Sequence, residues 1–354
     1  MAESDGYSPQ PVYLGCYTKG AGGEGAGIVV AVRDRRTGSL GLTGAVAATT
    51  APSFLARHPT RPVLFAVNEV AEGTVSAWTI TGAGGGLGGG GEAELGPLGT
   101  LATGGSFPCH LAVGRSGRHL FVANYGSGSA VAFSLDADGV PGPRPDLVTH
   151  SGRGPHPDRQ EAPHAHMVLP EDDRLLTVDL GIDAVYAHRL DPVTGRLTPG
   201  ERVVQAPPGT GPRRIAIDPE GFLHVVGELD ASVTSYVDST SGWREHSRVA
   251  ASSSDGGLPS EIAISDDGRF LYVGNRGPDT ISVFGLGDGR PSLVGEVSTG
   301  GSWPRHFALA GEFLYVANER SHSVVAFRVD ATTGLPSPTG DVLSTPSPTC
   351  VLPW

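Results

Sequence analysis

The sequence predicts an all-β chain folded as a seven-bladed β-propeller, and three observations carry that expectation. One phrase returns seven times, its period is about 50 residues, and the seventh copy is divided between the two ends of the chain. Six copies open on a proline, pass through a short apolar run and a turn, and close on a β-rich run ending in Asn or a near substitute. They span Pro52 to Asn68, Pro108 to Asn124, Pro163 to Asp179, Pro212 to Gly227, Pro259 to Asn275 and Pro304 to Asn318. Four share one spacing, while the Pro212 copy is one residue shorter and the Pro304 copy two. Further strand patterns follow, such as "SAVAFSLD", "ASVTSYVD", "TISVFGLG" and "SVVAFRVD". Strands parted by Gly, Pro, Asp and Asn, with no helical run between them, select a propeller over a β-helix.

The divided copy explains how the ring closes. "VYLGCYT" matches "LFVANYG" and "GIVVAVRD" matches "SVVAFRVD", while the C-terminal "TPSPTCVLP" matches "TAPSFLARHP". One blade therefore takes its innermost strand from the C-terminus and its outer strands from the N-terminus, which removes exposed sheet edges. Seven blades account for all 354 residues, so a single propeller domain over 1–354 is expected. The 53 Gly and 29 Pro suit many tight turns between short strands. The glycine-rich stretch 81–97 reads as a flexible loop at the outer edge of the first complete blade.

Charge and cysteine usage narrow the function classes. The net charge is −12, with no broad basic surface for nucleic acid. Lys19 is the only lysine, so the cationic groups are almost all arginine. No apolar run is long enough to span a membrane, and the opening residues lack the build of a secretory signal, so a cytoplasmic monomer or weak homodimer is expected. Cys16, Cys109 and Cys350 have no metal spacing. The split-blade register puts Cys16 and Cys350 on neighbouring strands, but buried small hydrophobes in a reducing compartment is the favoured reading.

Overlaying the copies locates the polar residues. The position after the proline reads Ser53, Cys109, His164, Arg213, Ser260, Arg305 and Thr349, and the next reads Phe54, His110, Ala165, Arg214, Glu261, His306 and Cys350. His166 of "PHAHM" falls where the sister copies carry an aliphatic residue. The second strand returns to the same mouth and ends Asn68-Glu69, Asn124-Tyr125, Asp179-Leu180, Gly227-Glu228, Asn275-Arg276 and Asn318-Glu319. Convergent titratable groups at one mouth of the channel make it the candidate ligand site. The repeated Asn reads first as a backbone tie between blades. Glu69, Glu261 and Glu319 read equally as site groups or as partners of a nearby arginine. His58, His119, His188, His224 and His322 read as surface residues.

Residue type then limits the chemistry. Arginines suit carboxylate or phosphate, and a His with a Glu can move protons. No GxSxG, HExxH, EF-hand, P-loop or dinucleotide fingerprint occurs in a fitting context. That leaves acid–base handling of a small anion, with no metal or organic cofactor expected.

The phrases "PSFLARHP", "PCHLAV", "HSGRGPHPDRQEAPHAH", "PPGTGPRRIAI", "GRFLYVGNRGPDTISVF" and "PRHFAL" resemble the seven-bladed propeller lactonase family, over essentially residues 12–353. That family includes propeller-type bacterial 6-phosphogluconolactonases and fungal carboxy-muconate cycloisomerases. The resemblance implies an active site of His164 with His166 beside it, Arg213, Glu228 and Arg276. Arg214 stands where the family usually has His, and Gly227 where it usually has Asn.

The expectation is hydrolysis of an anionic sugar lactone, 6-phosphogluconolactone first. His164 or Glu228 would be the base, Arg213 and Arg276 would stabilise the oxyanion or hold the phosphate, and Arg305 would help. His166, His110, Asn275, Arg214 and Glu69 are the other candidate substrate contacts. The same site could cycloisomerise a carboxy-muconate. A non-catalytic interaction scaffold is the rival from another class, and would call for an apolar or aromatic face that a chain with 6% aromatic residues hardly offers. The loop 150–162 could cover the mouth through Arg159 and Gln160, with the polar side of the pocket lying opposite the closing blade.

Overall fold

The computed structural model describes residues 9–82, 93–143, 146–239 and 242–354. These form seven four-stranded antiparallel sheets, and one short 3-10 turn at Lys19–Ala21 is the sole helical element among the described residues. Most of the glycine-rich stretch, residues 83–92, lies outside them, and its flanks are strands Thr74–Thr81 and Glu94–Ala102. Blades are numbered from the one that opens at Pro52, so the divided blade is the seventh. There the C-terminal strand Pro348–Pro353 pairs with Gln10–Cys16, setting Leu14 opposite Val351 and Gly15 opposite Cys350.

Closure of the ring is written in the core. Strands buried on both faces alternate sides with period two, so consecutive residues enter different seams. In Gln10–Cys16, Val12 and Leu14 pack with Phe313 and Tyr315 of blade six, while Tyr13 packs with Leu64 and Trp78 of blade one. Five further clusters fill the remaining seams, so each blade shares an apolar cluster with both neighbours. The same alternation separates the cysteines: Cys16 and Cys350 enter different clusters and both are unbridged.

Three of the four strand-ending Asn residues tie blades together, as their position suggested, while Asn124 donates to Ser129 Oγ within its own blade. Asn68 donates to Thr50 O at 2.6 Å, Asn275 to Ala251 O at 3.3 Å and Asn318 to Thr299 O at 3.2 Å, each carbonyl lying on the link from the preceding blade. Blade four lacks the tie because a Cβ at Gly227 would collide with Asp230 Oδ1 and sit 2.9 Å from Ser232 Oγ.

Four of the five histidines expected at the surface are buried instead. His58 reaches Gly117 O in the next blade at 2.9 Å, His119 packs over Gly195 of blade three, and His188 faces Thr198 O at 3.1 Å. His224 lies between Ser235 Oγ at 2.7 Å and Asp218 Oδ2 at 3.0 Å. Only His322 of the five remains substantially exposed.

Candidate active site

In blades two, four, five, six and seven the innermost strand carries a bulge just after its opening proline. Pro108 pairs with Asn124 and His110 with Ala123, so Cys109 has no partner across the ladder and turns away from it. Blades four, five and six repeat this with Arg213, Ser260 and Arg305. In blade three, however, Ala165 pairs with Asp179 and Met167 with Val178. His166 is therefore the bulged residue, equivalent to Arg213, and the overlay based on Pro163 is out by two positions. His164 lies before the strand proper.

The corrected register separates the two histidines. His166 lines a narrow cavity of about 10 Å³ together with Ser53, Phe54, Glu69, Cys109, Arg213, Arg214, Arg305 and Thr349. Arg213 NH1 donates to the His166 ring, lying 3.1 Å from Nδ1 and closer still to Nε2. Burial, with the Arg213 and Arg214 charges, holds His166 well below the usual histidine range, so its ring is neutral. His164 has both ring nitrogens engaged, with Tyr125 O at 3.0 Å and Glu161 Oε1 at 3.1 Å. Tyr125 separates the pair, stacking on His164 at 4.4 Å and meeting His166 edge-on at 5.6 Å.

Glu228 occupies the centre of an arginine cluster. Arg159 NH2 and Arg276 NH2 donate to its two oxygens at 2.5 and 2.7 Å, and Arg213 Nε lies 3.2 Å away. Burial alone would raise this carboxyl, but the charges of Arg276, Arg213 and Arg159 outweigh it and hold Glu228 at about 2. A carboxylate so stabilised is a poor proton acceptor, which argues against Glu228 as general base. Burial, and repulsion from Arg276, press Arg213 down to about 9 despite Glu228. Three arginines against one carboxylate leave positive charge unneutralised.

Arg305 forms a second cluster of opposite balance. Its guanidinium lies 3.4 Å from Glu319, 3.8 Å from Glu69 and 4.7 Å from the centre of the Tyr17 ring, and it donates to Tyr17 Oη. Tyr17 Oη in turn donates to Glu69 at 2.8 Å. Tyr17 was missed at the sequence level although "CYT" overlays "NYG", because its copy is split. It belongs to the closing blade, so the polar wall is not confined to the opposite side.

The remaining candidates lie one step along the strands or away from the mouth. Arg214 pairs with Glu261 at 3.3 Å and covers Phe54 at 4.6 Å, and Glu261 also faces His306 at 3.6 Å. His110 packs on Phe54, accepts from Val168 N at 3.3 Å and is held well below its usual value by burial. Asn275 is fully buried, and its amide donates to Ala251 O and Ser282 Oγ. Of the loop 150–162, Arg159 does reach the mouth. Gln160 is instead buried, donating to Leu180 O and Asp183 Oδ1 at 2.8 Å each. A second concavity of about 630 Å³ on blade three is an open groove lined by Glu171, Asp172, Asp173, Arg174, Arg189 and Glu201, and these charges are exposed or half-buried, unlike the buried cluster at the mouth.

A closed propeller with a buried neutral His, an arginine-bound Glu and a second Arg–Glu–Tyr cluster around one hollow has the makings of an enzyme that handles small anions. A family model for the seven-bladed β-propeller lactonases matches residues 11–353, and the chain belongs to that family of enzymes. It is 34% identical to a protein of Bacillus subtilis named 6-phosphogluconolactonase, over 96% of this chain and 97% of that one. The solved periplasmic gluconolactonase of Pseudomonas aeruginosa superposes with a TM-score of 0.85 at 28% identity, covering 98% of this chain and 99% of its own. A Lactobacillus plantarum protein superposes at 0.87 with 30% identity, over 98% of this chain and all of the other.

Proposed function

We propose that the mouth hydrolyses the lactone of a sugar acid bearing a negative group, 6-phosphogluconolactone first. One observation carries the mechanism: a neutral buried imidazole, His166, faces the Arg213 guanidinium inside a single cavity. The water oxygen bonds to the lactone carbonyl carbon while His166 takes its proton. Arg213 stabilises the oxyanion. Collapse breaks the bond from carbonyl carbon to ring oxygen, which takes the proton back from His166 and leaves as the product's hydroxyl. The new carboxylic acid then releases its own proton to solvent. His166 replaces His164 in this role, because His166 lines the cavity with Arg213, whereas His164 lies outside it, held by Tyr125 O and Glu161.

The unneutralised arginines around Glu228 suit the negative group, with Arg276 and Arg159 as its holders. The names of the Bacillus and Pseudomonas relatives support lactone chemistry. The cavity has room for about one water. Substrate entry in this reading therefore shifts Arg159 from Glu228 onto the entering negative group, a move its side chain, 34% exposed against 3% for Arg213, is free to make.

The test is an assay of the purified chain on 6-phosphogluconolactone, with a carboxy-muconate as the counter-substrate. Because His166 is held below its usual value, kcat/KM should stay flat from pH 8 down to about 6.5, with its acid limb below that. His166→Ala should lower kcat by roughly 10²–10⁴. Full activity in that variant, or turnover of the muconate alone, would overturn the reading.

A further inference from the structure

We propose that Glu69, Glu319 and Tyr17 form a hydroxyl-reading pole that decides which lactones the site accepts, with the substrate's negative group directed to the arginines around Glu228. The inference rests on the lactonase reading and extends it to specificity. Two clusters of opposite balance stand around one mouth. Around Glu228, three arginines meet a single carboxylate. Around Arg305, two carboxylates meet a single arginine.

The second cluster has capacity to spare. Arg305 holds Glu69 and Glu319 only at 3.8 and 3.4 Å, longer than the 2.7 Å contact of Arg276 with Glu228. Both carboxylates keep about a fifth of their side-chain surface open, whereas Glu228 keeps 3%. Ionised carboxylates with free lone pairs accept strong hydrogen bonds from hydroxyl groups. Tyr17 Oη lies between Arg305 and Glu69, which fixes where that carboxylate points.

A separate observation marks the same hollow as a place for a polar ligand. Ser53 lines the cavity beside Glu69 and Arg305, is 4% exposed, and its hydroxyl has no hydrogen-bond partner among the described residues. A buried hydroxyl without a partner is costly unless a bound group satisfies it. The neighbouring Thr349 hydroxyl is already satisfied, donating to Gly15 O at 3.0 Å. Ser53, Glu69 and Glu319 thus offer polar contacts to a hydroxylated ring. Two carboxylates at this pole would repel a substrate charged at both ends. The site therefore selects a polyhydroxylated body with one anionic end and disfavours a polycarboxylate.

The experiment compares kcat/KM for 6-phosphogluconolactone and its 2,3-dideoxy analogue, and measures 6-phosphogluconate binding by calorimetry. The wild type should prefer the hydroxylated lactone by tenfold or more. Glu69→Gln and Glu319→Gln should each reduce that preference about tenfold and weaken 6-phosphogluconate binding similarly. Tyr17→Phe, which removes only one hydroxyl, should do so to a smaller extent and serves if either Gln variant fails to fold. A purely structural tie would shift Tm and leave the preference unchanged, and that result overturns the pole while the lactonase reading stands. A wild type that binds 6-phosphogluconate with this Glu dependence yet hydrolyses no lactone keeps the pole and removes the lactonase reading. A wild type that neither hydrolyses nor binds overturns both.

Discussion

Buried histidines occur in two places in this propeller, and their surroundings differ in kind. At the mouth, His166 faces Arg213, and His306 lies between Val351 N and the Glu261 carboxylate. At the seams and strand edges, His58, His188 and His224 have partners fixed by the fold. His58 accepts from Thr60 N and Arg61 N and reaches Gly117 O. His224 is held by Ser235 and Asp218. The seam histidines complete hydrogen bonds that the fold requires, whereas His166 sits against Arg213, a member of a cluster with three arginines to one carboxylate. Burial alone therefore does not distinguish a functional histidine here; the identity of its partners does.

The sharpest way to break this contrast is at Arg213. Its packing is tight, but its charge is poorly accommodated, because burial and Arg276 both press on it. Arg213→Ala should lower kcat/KM about 10²–10³-fold, as loss of an oxyanion donor does. Its Tm should stay within a few degrees of wild type, since Glu228 keeps Arg276 and Arg159. Calorimetry beside the lactone assay checks both. An unfolded variant, or an active one, would place Arg213 with the structural set.

The seam predicts the reverse pattern. His224→Leu leaves Asp218 Oδ2 buried without its imidazole partner and takes the partner from Ser235. Stability should fall by about 2–3 kcal/mol, or roughly 3–6 °C for a chain of this size. Turnover per folded molecule should not change. A drop in kcat at unchanged Tm would erase the distinction between the two sets.

Much of this was legible in the sequence, and the exceptions have identifiable causes. The divided copy predicted the pairing of the terminal strands, because a strand's partner follows from the repeat itself. Arg213, Arg276 and Glu228 could be placed at one mouth because the bulge recurs at a fixed offset from the opening proline in blade four. Blade three defeated the overlay. Pro163 imitates the opening proline, but the hairpin starts pairing only at Ala165, and the spacing from Pro163 to Asp179 happens to match that of the sister copies. His58 and His119 were misread because the groups that bury them, Gly117 and Gly195, come from the next blade, while His188 and His224 are buried by partners of their own blades, Thr198 O and Ser235, that strand spacing alone does not reveal. A repeat reveals what each strand resembles, and not what a neighbour's turn will press against it.

The smallest effect tests the seam set through pH. Burial, with repulsion from His150, holds His188 at about 4, whereas an unfolded histidine titrates near 6.5. Between those values the unfolded chain binds the proton that the folded chain refuses. The folded pKa is the lower one, so stability is fully present above about 6.5 and is lost as pH falls toward about 4. At pH 5.5 this one group should already cost about 1 kcal/mol, or roughly 1–2 °C. His110, His166 and His306 are held below their usual values too and add to the wild-type acid slope. His188→Gln removes a single titration, so its Tm should fall less than the wild type's between pH 7 and 5.5, by that same 1–2 °C. Two parallel Tm curves would mean that His188 takes up its proton without loss in the folded chain. Its contacts with Thr177 Oγ1 at 3.1 Å and Thr198 O would then be tolerant of charge, and His188 would leave the group of histidines that the fold keeps neutral.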